Sequence, residues 1–203
     1  MTPSLRCRRQ LRDHLRVNQR RLILIGAIGL PLSARADEAV AKLLREGGVV
    51  LSLRHALAPG TFDPPQFKLG DCSTQRNLND EGRAQARRIG QWLAQRQLVP
   101  AAVRSSPWCR CMDTATLAFG RSQAWAALGS PRGADETTNA QSLRDLVAAV
   151  ATATTQRGRF EAWVTHQFVM NGLVGTSTST GEGLVLRTGS DGRPQVLARL
   201  VVA

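Results

Sequence analysis

The sequence predicts an α/β fold with a largely parallel central sheet. Three short apolar segments, bounded by turn residues, predict buried strands at 49–53, 101–105 and 160–165. The segments between them carry apolar residues at helical spacing and capping residues at their ends, which predicts helices. Strands that alternate with helices are typical of a parallel sheet covered by helices.

Residues 1–36 predict a secretory signal peptide. A basic region ends in Arg20-Arg21, an apolar run of eleven residues follows at 22–32, and residues 33–36 resemble a cleavage site. Eleven residues are too few for a helix that spans a bilayer. The segment around Arg20-Arg21 loosely resembles a twin-arginine signal, and an uncleaved signal anchor is the alternative. We therefore expect the export machinery to deliver residues 37–203, as one domain, to an oxidising compartment such as a bacterial periplasm.

The net charge of +12 is concentrated at the start of the chain. Residues 1–36 contain eight Arg and one Asp and contribute +7, whereas the remaining residues carry 19 basic and 14 acidic side chains, a net charge of +5. No basic run there is interleaved with aromatic residues, which argues against nucleic acid as a partner. A protein that docks on acidic lipopolysaccharide or membrane is an alternative that rests on charge alone.

The first half of the predicted domain contains a helix, a strand and a long irregular loop. Residues 37–46 predict a short helix that stops at Gly47. The strand at 49–53 then runs directly into Arg54-His55. Residues 56–77 contain three prolines and two glycines, which predicts a loop without regular structure. Because the loop leaves the end of this strand, we expect it to form one wall of a site there.

The second half continues the alternation of strands and helices. Residues 79–97 predict a helix, and Ser106 predicts the N-cap of the next one, with Arg110 in its opening turn. Residues 120–137 carry no clear periodic signal, and Thr138 begins a plausible capping box. The remaining predicted elements are helices at 138–155 and 167–175 and a closing hairpin of strands at 182–187 and 195–202.

Two histidines stand directly after predicted strands. His55 and His166 are the only histidines of residues 37–203. In open α/β sheets, chemistry collects beyond the carboxyl ends of the strands. A cation such as Arg54 beside an imidazole suits an anionic substrate. Arg110 adds a second cation at a predicted helix N-terminus, where unpaired N–H groups attract phosphate. The alternative is that these histidines only cap loops.

Four motifs, in order along the chain, resemble those of the histidine phosphatase superfamily. The family motif Arg-His-Gly is similar to Arg54-His55-Ala56, and the family's late histidine after a strand is similar to His166. A substitution of glycine by Ala56 would strain a positive φ, and Gln167 stands where one branch carries an Asp proton donor. The motifs Leu-x-x-x-Gly-x-x-Gln-Ala and Ser-Ser-Pro-x-x-Arg-x-x-x-Thr-Ala match Leu78, Gly82, Gln85, Ala86, Ser105, Ser106, Pro107, Arg110, Thr114 and Ala115.

The resemblance implies a three-layer, phosphoglycerate-mutase-like fold, with a mostly parallel central sheet and helices on both faces. It also implies that His55 attacks phosphorus to form a phosphohistidine, which water hydrolyses. Arg54, Arg110 and His166 would hold the phosphoryl oxygens. The chain is similar to compact periplasmic members, some of which act on phosphorylated lipopolysaccharide sugars. We therefore expect a monomeric, metal-independent phosphomonoesterase without a cofactor. A degenerate member that binds a phosphorylated ligand without hydrolysing it is the alternative.

Two further site residues are predicted with alternatives. The family usually takes the proton donor for the leaving group from the region after its third motif, where Asp135 and Glu136 stand. Glu182 is a rival, and we select Glu136. Arg76, on the long loop, is predicted to contact the substrate, and a solvated arginine is the alternative.

Three cysteines follow the predicted signal peptide. Cys109 and Cys111 are two residues apart on a predicted helix, so they point to nearly opposite sides. Cys111 lies on the apolar side, whereas Cys109 lies in the first turn, at the same end of the sheet as the loop that carries Cys72. We therefore expect a Cys72–Cys109 disulfide and a buried Cys111 thiol, with three free thiols as the alternative.

Overall fold

The structure, a computed structural model, describes residues 32–202, with side chains from Ala36 onward. The signal peptide predicted at 1–36 lies almost wholly outside the described residues and stays a prediction. Helix α1 spans Leu32–Glu46 and so begins before Asp37, where the sequence predicts it. Within the described residues, no helix is both long and apolar enough to cross a membrane.

The central sheet has six strands in the order β3-β2-β4-β1-β5-β6. Strands β1 to β4 run parallel to one another. The closing hairpin adds β5, antiparallel to β1, and then β6, antiparallel to β5. The predicted apolar strands and the predicted hairpin are therefore present. The strands are β1 Val49–Arg54, β2 Ala102–Ser105, β3 Gln123–Ala124, β4 Phe160–Thr165, β5 Gly183–Thr188 and β6 Pro194–Leu200.

Four further α-helices and three 3-10 helices connect the strands. The helix after the long loop begins as predicted, because the side-chain oxygen of Asn79 accepts the N–H of Gly82 at 2.8 Å and so caps its first turn. The α-helices are α2 Asp80–Gln95, α3 Cys109–Phe119, α4 Glu136–Thr154 and α5 Gln167–Val174. The 3-10 helices are Cys72–Thr74, Ala126–Leu128 and Pro131–Gly133.

Two helices begin at other residues than the sequence predicts. Ser106 is not the N-cap of α3, which starts only at Cys109. The Ser106 hydroxyl lies instead 2.8 Å from Nε2 of His166. For α4, the carboxylate of Asp135 accepts the N–H of Thr138 at 2.7 Å, so Asp135 is the N-cap and Thr138 lies in the first turn.

Helices cover both faces of the sheet. Successive residues of β1 point to opposite faces. Leu51 and Leu53 therefore pack in an apolar cluster with residues of α1, α2 and α3, whereas Val50 packs with α4, α5 and Trp163 of β4. These two clusters and the sheet between them form the three predicted layers.

The chain that leaves β1 is held tightly against α2 and α3. A side chain at Gly82 would collide with the backbone of Leu57, so only glycine allows this approach. The N–H of Ala56 donates to Oγ1 of Thr114 at 3.0 Å. Within the described part of the chain, Gln97 is the only non-glycine residue with a positive φ, so Ala56 adopts an ordinary conformation. The alanine that replaces the family's glycine is therefore accommodated without strain.

Candidate active site

A cavity of about 390 Å³ opens at the carboxyl ends of β1 and β4. The structure brings five of the predicted site residues to its lining: Arg54, His55, Arg76, Arg110 and His166. The two histidine rings lie edge to face, with 5.5 Å between their centroids. Because the strands are parallel, residues far apart in sequence meet at this edge, as their positions after strands predict.

His55 is oriented by the backbone around it. Its backbone N–H donates to the carbonyl of Thr165 at 2.9 Å. Nδ1 of its ring lies 2.8 Å from the carbonyl oxygen of Ala56. A carbonyl oxygen only accepts, so this contact assigns the ring proton to Nδ1 and leaves a lone pair on Nε2. Nucleophilic attack requires such a lone pair.

The imidazole of His55 is neutral at pH 7. Burial is the main cause that lowers its pKa to about 3; the hydrogen bond with the Ala56 carbonyl raises the pKa, and the nearby guanidinium groups lower it. The side chain is only 2% exposed. The residue is therefore ready to act as a nucleophile without first losing a proton.

His166 lies beside His55, at the N-terminus of α5. Its Nε2 is 2.8 Å from Oγ of Ser106, and its ring packs edge to face against Trp108 with 5.4 Å between centroids. Burial and then the charge of Arg110 hold the pKa of His166 well below its usual range. The His166 ring is therefore neutral, and its contacts with Ser106 and Trp108 fix its orientation at the cavity.

Three arginines form the charged floor of the cavity: Arg54, Arg76 and Arg110. Arg54 donates to the carbonyl of Thr178, and Arg76 donates to two carbonyls of the long loop. Nevertheless, the Nε of each of the three arginines is buried without a hydrogen-bond partner among residues 32–202. Buried donors in folded proteins are normally paired, so three arginines that line one cavity and have unused donors favour the binding of an anion there.

Asp63 is a member of the site that the sequence analysis missed. Its carboxylate accepts two hydrogen bonds from Arg110, at 2.8 and 3.2 Å, and one from Nε1 of Trp108 at 3.2 Å. It also accepts the backbone N–H of Arg76 at 3.0 Å. These hydrogen bonds outweigh the effect of burial and lower the pKa of Asp63. The signal available in the sequence was its position on the loop predicted to form a wall of the site.

The carboxylates predicted as proton donors lie elsewhere. Glu136, the selected residue, is exposed in the first turn of α4 and does not line the cavity. Asp135 is engaged as the N-cap of that helix. Glu182 accepts the N–H of Ser179 at 2.7 Å and pairs with Arg199. Among the described residues, Asp63 is the only acidic side chain that lines the cavity.

A disulfide joins the long loop to the helix that carries Arg110. It links Cys72 to Cys109, as the sequence predicts, and Cys111 is a buried free thiol. Burial raises the pKa of Cys111 to about 12, so this thiol stays protonated. A buried side chain, Gln75, adds a second link, because its oxygen accepts the N–H of Cys109 at 3.0 Å. The loop wall is therefore fixed against α3 by covalent and polar contacts.

The mouth of the cavity is aromatic. Phe62 and Phe168 are 56% and 48% exposed, which is unusual for large apolar side chains. The guanidinium of Arg132 lies over both rings, 4.1 and 5.4 Å from their centroids. We call these three residues the aromatic rim. The cavity thus combines a charged floor with a rim that offers flat apolar faces and one further cation.

Comparison with known sequences agrees with the motifs. A sequence model of the histidine phosphatase superfamily (branch 1) matches residues 53–128, which contain His55, Asp63, Arg76 and Arg110. No curated protein sequence matches the chain. The family match supports the histidine phosphatase superfamily.

Solved structures of low sequence identity share the fold. An open-reading-frame product of Mycobacterium tuberculosis is 19% identical with a TM-score of 0.55, over 76% of this chain and 96% of that one. The mycobacterial glucosyl-3-phosphoglycerate phosphatase is 16% identical with a TM-score of 0.54, over 75% and 98%. The alpha-ribazole phosphatase from Shigella flexneri is 12% identical with a TM-score of 0.55, over 76% and 97%. The predicted phosphoglycerate-mutase-like fold is confirmed.

Proposed function

We propose that the protein is a phosphomonoesterase that works through a phosphohistidine on His55. The observation that carries this proposal is a neutral imidazole with a lone pair on Nε2, beside three arginines whose Nε–H groups have no partner within residues 32–202. A nucleophile among unpaired cationic donors suits attack on an anionic phosphoryl group, because the donors offset the charge that develops there. The family match and the phosphatases among the structural relatives support the same activity.

The two histidines and the three arginines of the charged floor each have a role in this reaction. Nε2 of His55 attacks phosphorus, and the bond to the leaving oxygen breaks. Arg54, Arg110 and His166 hold the phosphoryl oxygens, and Arg76 adds charge from the loop. Water then attacks phosphorus, which releases inorganic phosphate and restores the imidazole. No step requires a metal, and within residues 32–202 no three His, Cys, Asp or Glu side chains are grouped as metal ligands.

The proposed substrates are sugar phosphates of the cell envelope. The aromatic rim supports this class, because the C–H faces of a sugar ring pack well on exposed Phe62 and Phe168. Arg132 between them suits a second anionic group on the same substrate. The proposed location is the periplasm, as the predicted signal peptide indicates, and a disulfide is compatible with an oxidising compartment.

The alternative is a protein that binds a phosphorylated ligand without hydrolysing it. The unassigned proton donor of the sequence analysis favours that alternative. The contact of Nδ1 of His55 with the Ala56 carbonyl argues against it, because it leaves a lone pair on Nε2, whereas a site that only bound phosphate would need a donor there.

Turnover and trapping of the intermediate test the proposal. The purified protein is assayed against sugar phosphates, lipopolysaccharide core fragments, nucleotides and aryl phosphates, with and without a chelator. We expect hydrolysis that the chelator does not change and that His55→Ala abolishes. A labelled substrate, quenched in alkali, leaves label on the wild type and none on His55→Ala, since phosphohistidine survives alkali. Full hydrolysis by His55→Ala contradicts the proposal. Phosphate binding without any turnover supports the alternative.

A further inference from the structure

We infer that Asp63 donates the proton to the leaving group, and that its carboxylate holds the phosphoryl subsite until the substrate displaces it. The inference rests on the proposed phosphatase function and identifies the acid which that function requires. Asp63 stands on the loop wall and lines the same cavity as His55 and His166. Alkoxide leaving groups depart slowly unless they are protonated, so a phosphomonoesterase for sugar phosphates needs such an acid.

The contacts of Asp63 resemble those expected of a bound phosphoryl group. Both carboxylate oxygens face the guanidinium of Arg110, at 2.8 and 3.2 Å, which is the two-point geometry that arginine offers to carboxylates and phosphates alike. Arg110 is buried, with its side chain 4% exposed, whereas that of Asp63 is 17% exposed. The carboxylate is therefore the more accessible partner of the pair, the one that a ligand in the cavity can displace.

A phosphate monoester competes with Asp63 for the same donors. A phosphoryl group carries up to two negative charges and three oxygens, so it can use the Nη groups of Arg110 together with the unpaired Nε–H groups of the floor. A single carboxylate cannot reach all of them. Substrate binding therefore exchanges the Arg110–Asp63 pair for an Arg110–phosphate pair.

This exchange turns Asp63 into an acid. The hydrogen bonds from Arg76, Arg110 and Trp108 now hold the pKa of Asp63 low against the opposing effect of burial. When Arg110 donates to the phosphoryl group instead, the Asp63 carboxylate loses a neighbouring cation and gains a neighbouring anion. Both changes raise the pKa of Asp63. Asp63 then takes up one proton from solvent and stays near the leaving oxygen, because the disulfide and Gln75 hold its loop.

The proton balance closes over the two steps. In the first step, Nε2 of His55 uses its lone pair to form a bond to phosphorus, and the bond from phosphorus to the ester oxygen breaks. The ester oxygen keeps the electron pair of that bond and accepts the proton of Asp63. The products are a free alcohol, a phosphohistidine and an Asp63 carboxylate. In the second step the carboxylate accepts a proton from the attacking water, the P–N bond breaks, and its electron pair returns to His55. Phosphate leaves, and Asp63 releases its proton and pairs with Arg110 again.

No other acid competes for this role within the described part of the chain. Glu136 and Asp135 lie outside the cavity lining, and Glu182 is engaged with Ser179 and Arg199. Asp63 is the one carboxylate there that borders the cavity and contacts an arginine of its floor.

Leaving groups of different basicity test the inference. Asp63→Asn should lower kcat/KM for alkyl phosphates by about a hundredfold or more, as expected for a lost general acid. For 2,4-dinitrophenyl phosphate, whose leaving group departs without a proton, the loss should stay under about tenfold. Asp63→Glu, which keeps an acid, should recover part of the alkyl phosphate activity. Asp71→Asn, an exposed change on the same loop that keeps the capping oxygen, is the matched control and should behave as the wild type.

Phosphate inhibition supplies a readout that a merely structural role would not give. Asp63→Asn removes the internal anion, so inorganic phosphate or vanadate should inhibit it with a Ki at least about fivefold lower than that of the wild type. If Asp63 only braced the loop, the variant would lose activity on both substrate types and bind phosphate more weakly, and the inference would be wrong. The inference would also be wrong if Glu136→Gln, and not Asp63→Asn, lost activity on alkyl phosphates while it kept activity on 2,4-dinitrophenyl phosphate. If the wild type hydrolyses neither substrate, or if His55→Ala keeps full activity, the proposed function itself fails.

Discussion

Replacing Arg110 by alanine removes the cation on which the charged floor and Asp63 both depend. In the structure this guanidinium gives two hydrogen bonds to Asp63, and its Nε is a third, unpaired donor. In the proposed reaction at least two of these donors pass to the phosphoryl oxygens. Removing one preorganised donor costs about a hundred- to a thousandfold in rate, so we expect Arg110→Ala to lower kcat/KM by about a thousandfold.

The same substitution also affects stability, and the two effects have to be separated. Arg110→Ala leaves the largely buried carboxylate of Asp63 without its cation, which we expect to cost about 1–3 kcal/mol of unfolding free energy. The double variant Arg110→Ala/Asp63→Asn removes that unpaired charge. It should therefore regain most of the stability measured by urea unfolding, while its activity stays low.

The assay uses 2,4-dinitrophenyl phosphate, because protonation of its leaving group is not needed and the loss then reports on Arg110 rather than on Asp63. Arg104→Ala is the matched control. Arg104 lies on β2, pairs with Glu161 at 3.5 Å, lies over the ring of Trp125 and does not border the cavity. We expect less than about a threefold change in its kcat/KM, since Arg104 does not border the cavity. Equal damage by both substitutions, or an Arg110→Ala enzyme within tenfold of the wild type, would refute the assignment of the floor.

Two further predictions concern the disulfide and acid stability. Non-reducing peptide mapping should recover Cys72 linked to Cys109, and replacing both by serine should lower the unfolding free energy by up to about 4 kcal/mol and raise KM, whereas a link to Cys111 would contradict the structure. Because burial lowers the pKa of His55 to about 3, the unfolded chain binds its proton first as the pH falls below about 6.5. The contribution of His55 to the unfolding free energy is therefore fully present above that pH and is lost as the pH falls below it. Between pH 8 and pH 5 we expect this residue alone to lower the unfolding free energy by about 2 kcal/mol. Urea unfolding at both pH values should reveal a smaller change in His55→Asn.

The parts of the site on regular elements are the parts that sequence reasoning located. Buried parallel strands are short apolar runs, so the ends of β1 and β4 are visible in the sequence. Arg54 is the last residue of β1, and His55 and His166 directly follow β1 and β4. Parallel pairing brings these ends to one edge whatever the intervening chain does. The disulfide was predictable for a related reason, because the periodicity of α3 separates Cys109 from Cys111.

The parts on irregular chain were not predictable in the same way. The path of residues 56–77 depends on contacts at a distance, namely the disulfide, Gln75 and the pair that Asp63 makes with Arg110. None of these leaves a periodic pattern. Residues 120–137 fold into a two-residue strand and two 3-10 helices, so the sequence did not indicate how far Glu136 would lie from the cavity.

Ser106 illustrates how a functional contact can override a local signal. A serine before a proline predicts an N-cap. Its hydroxyl lies instead within 2.8 Å of Nε2 of His166, and α3 begins three residues later, at Cys109. Local propensity predicts structure least well for residues that take part in a site. The failure of Ser106 to cap α3 therefore itself indicates that this residue belongs to the cavity.

The charge balance of the proposed active site leads us to expect a preference for monoesters. Apart from Arg132 at the rim, two neutral histidines and three arginines, offset by Asp63, leave a formal charge of +2. A phosphate monoester dianion neutralises this charge, whereas a diester brings one negative charge and a second substituent that would have to fit among buried groups. The diester would also compete poorly with Asp63 for Arg110, because two singly charged anions offer that arginine nearly the same interaction. In the proposed mechanism, the carboxylate that supplies the proton thus also sets a threshold of charge, so we expect hydrolysis of monoesters and not of diesters.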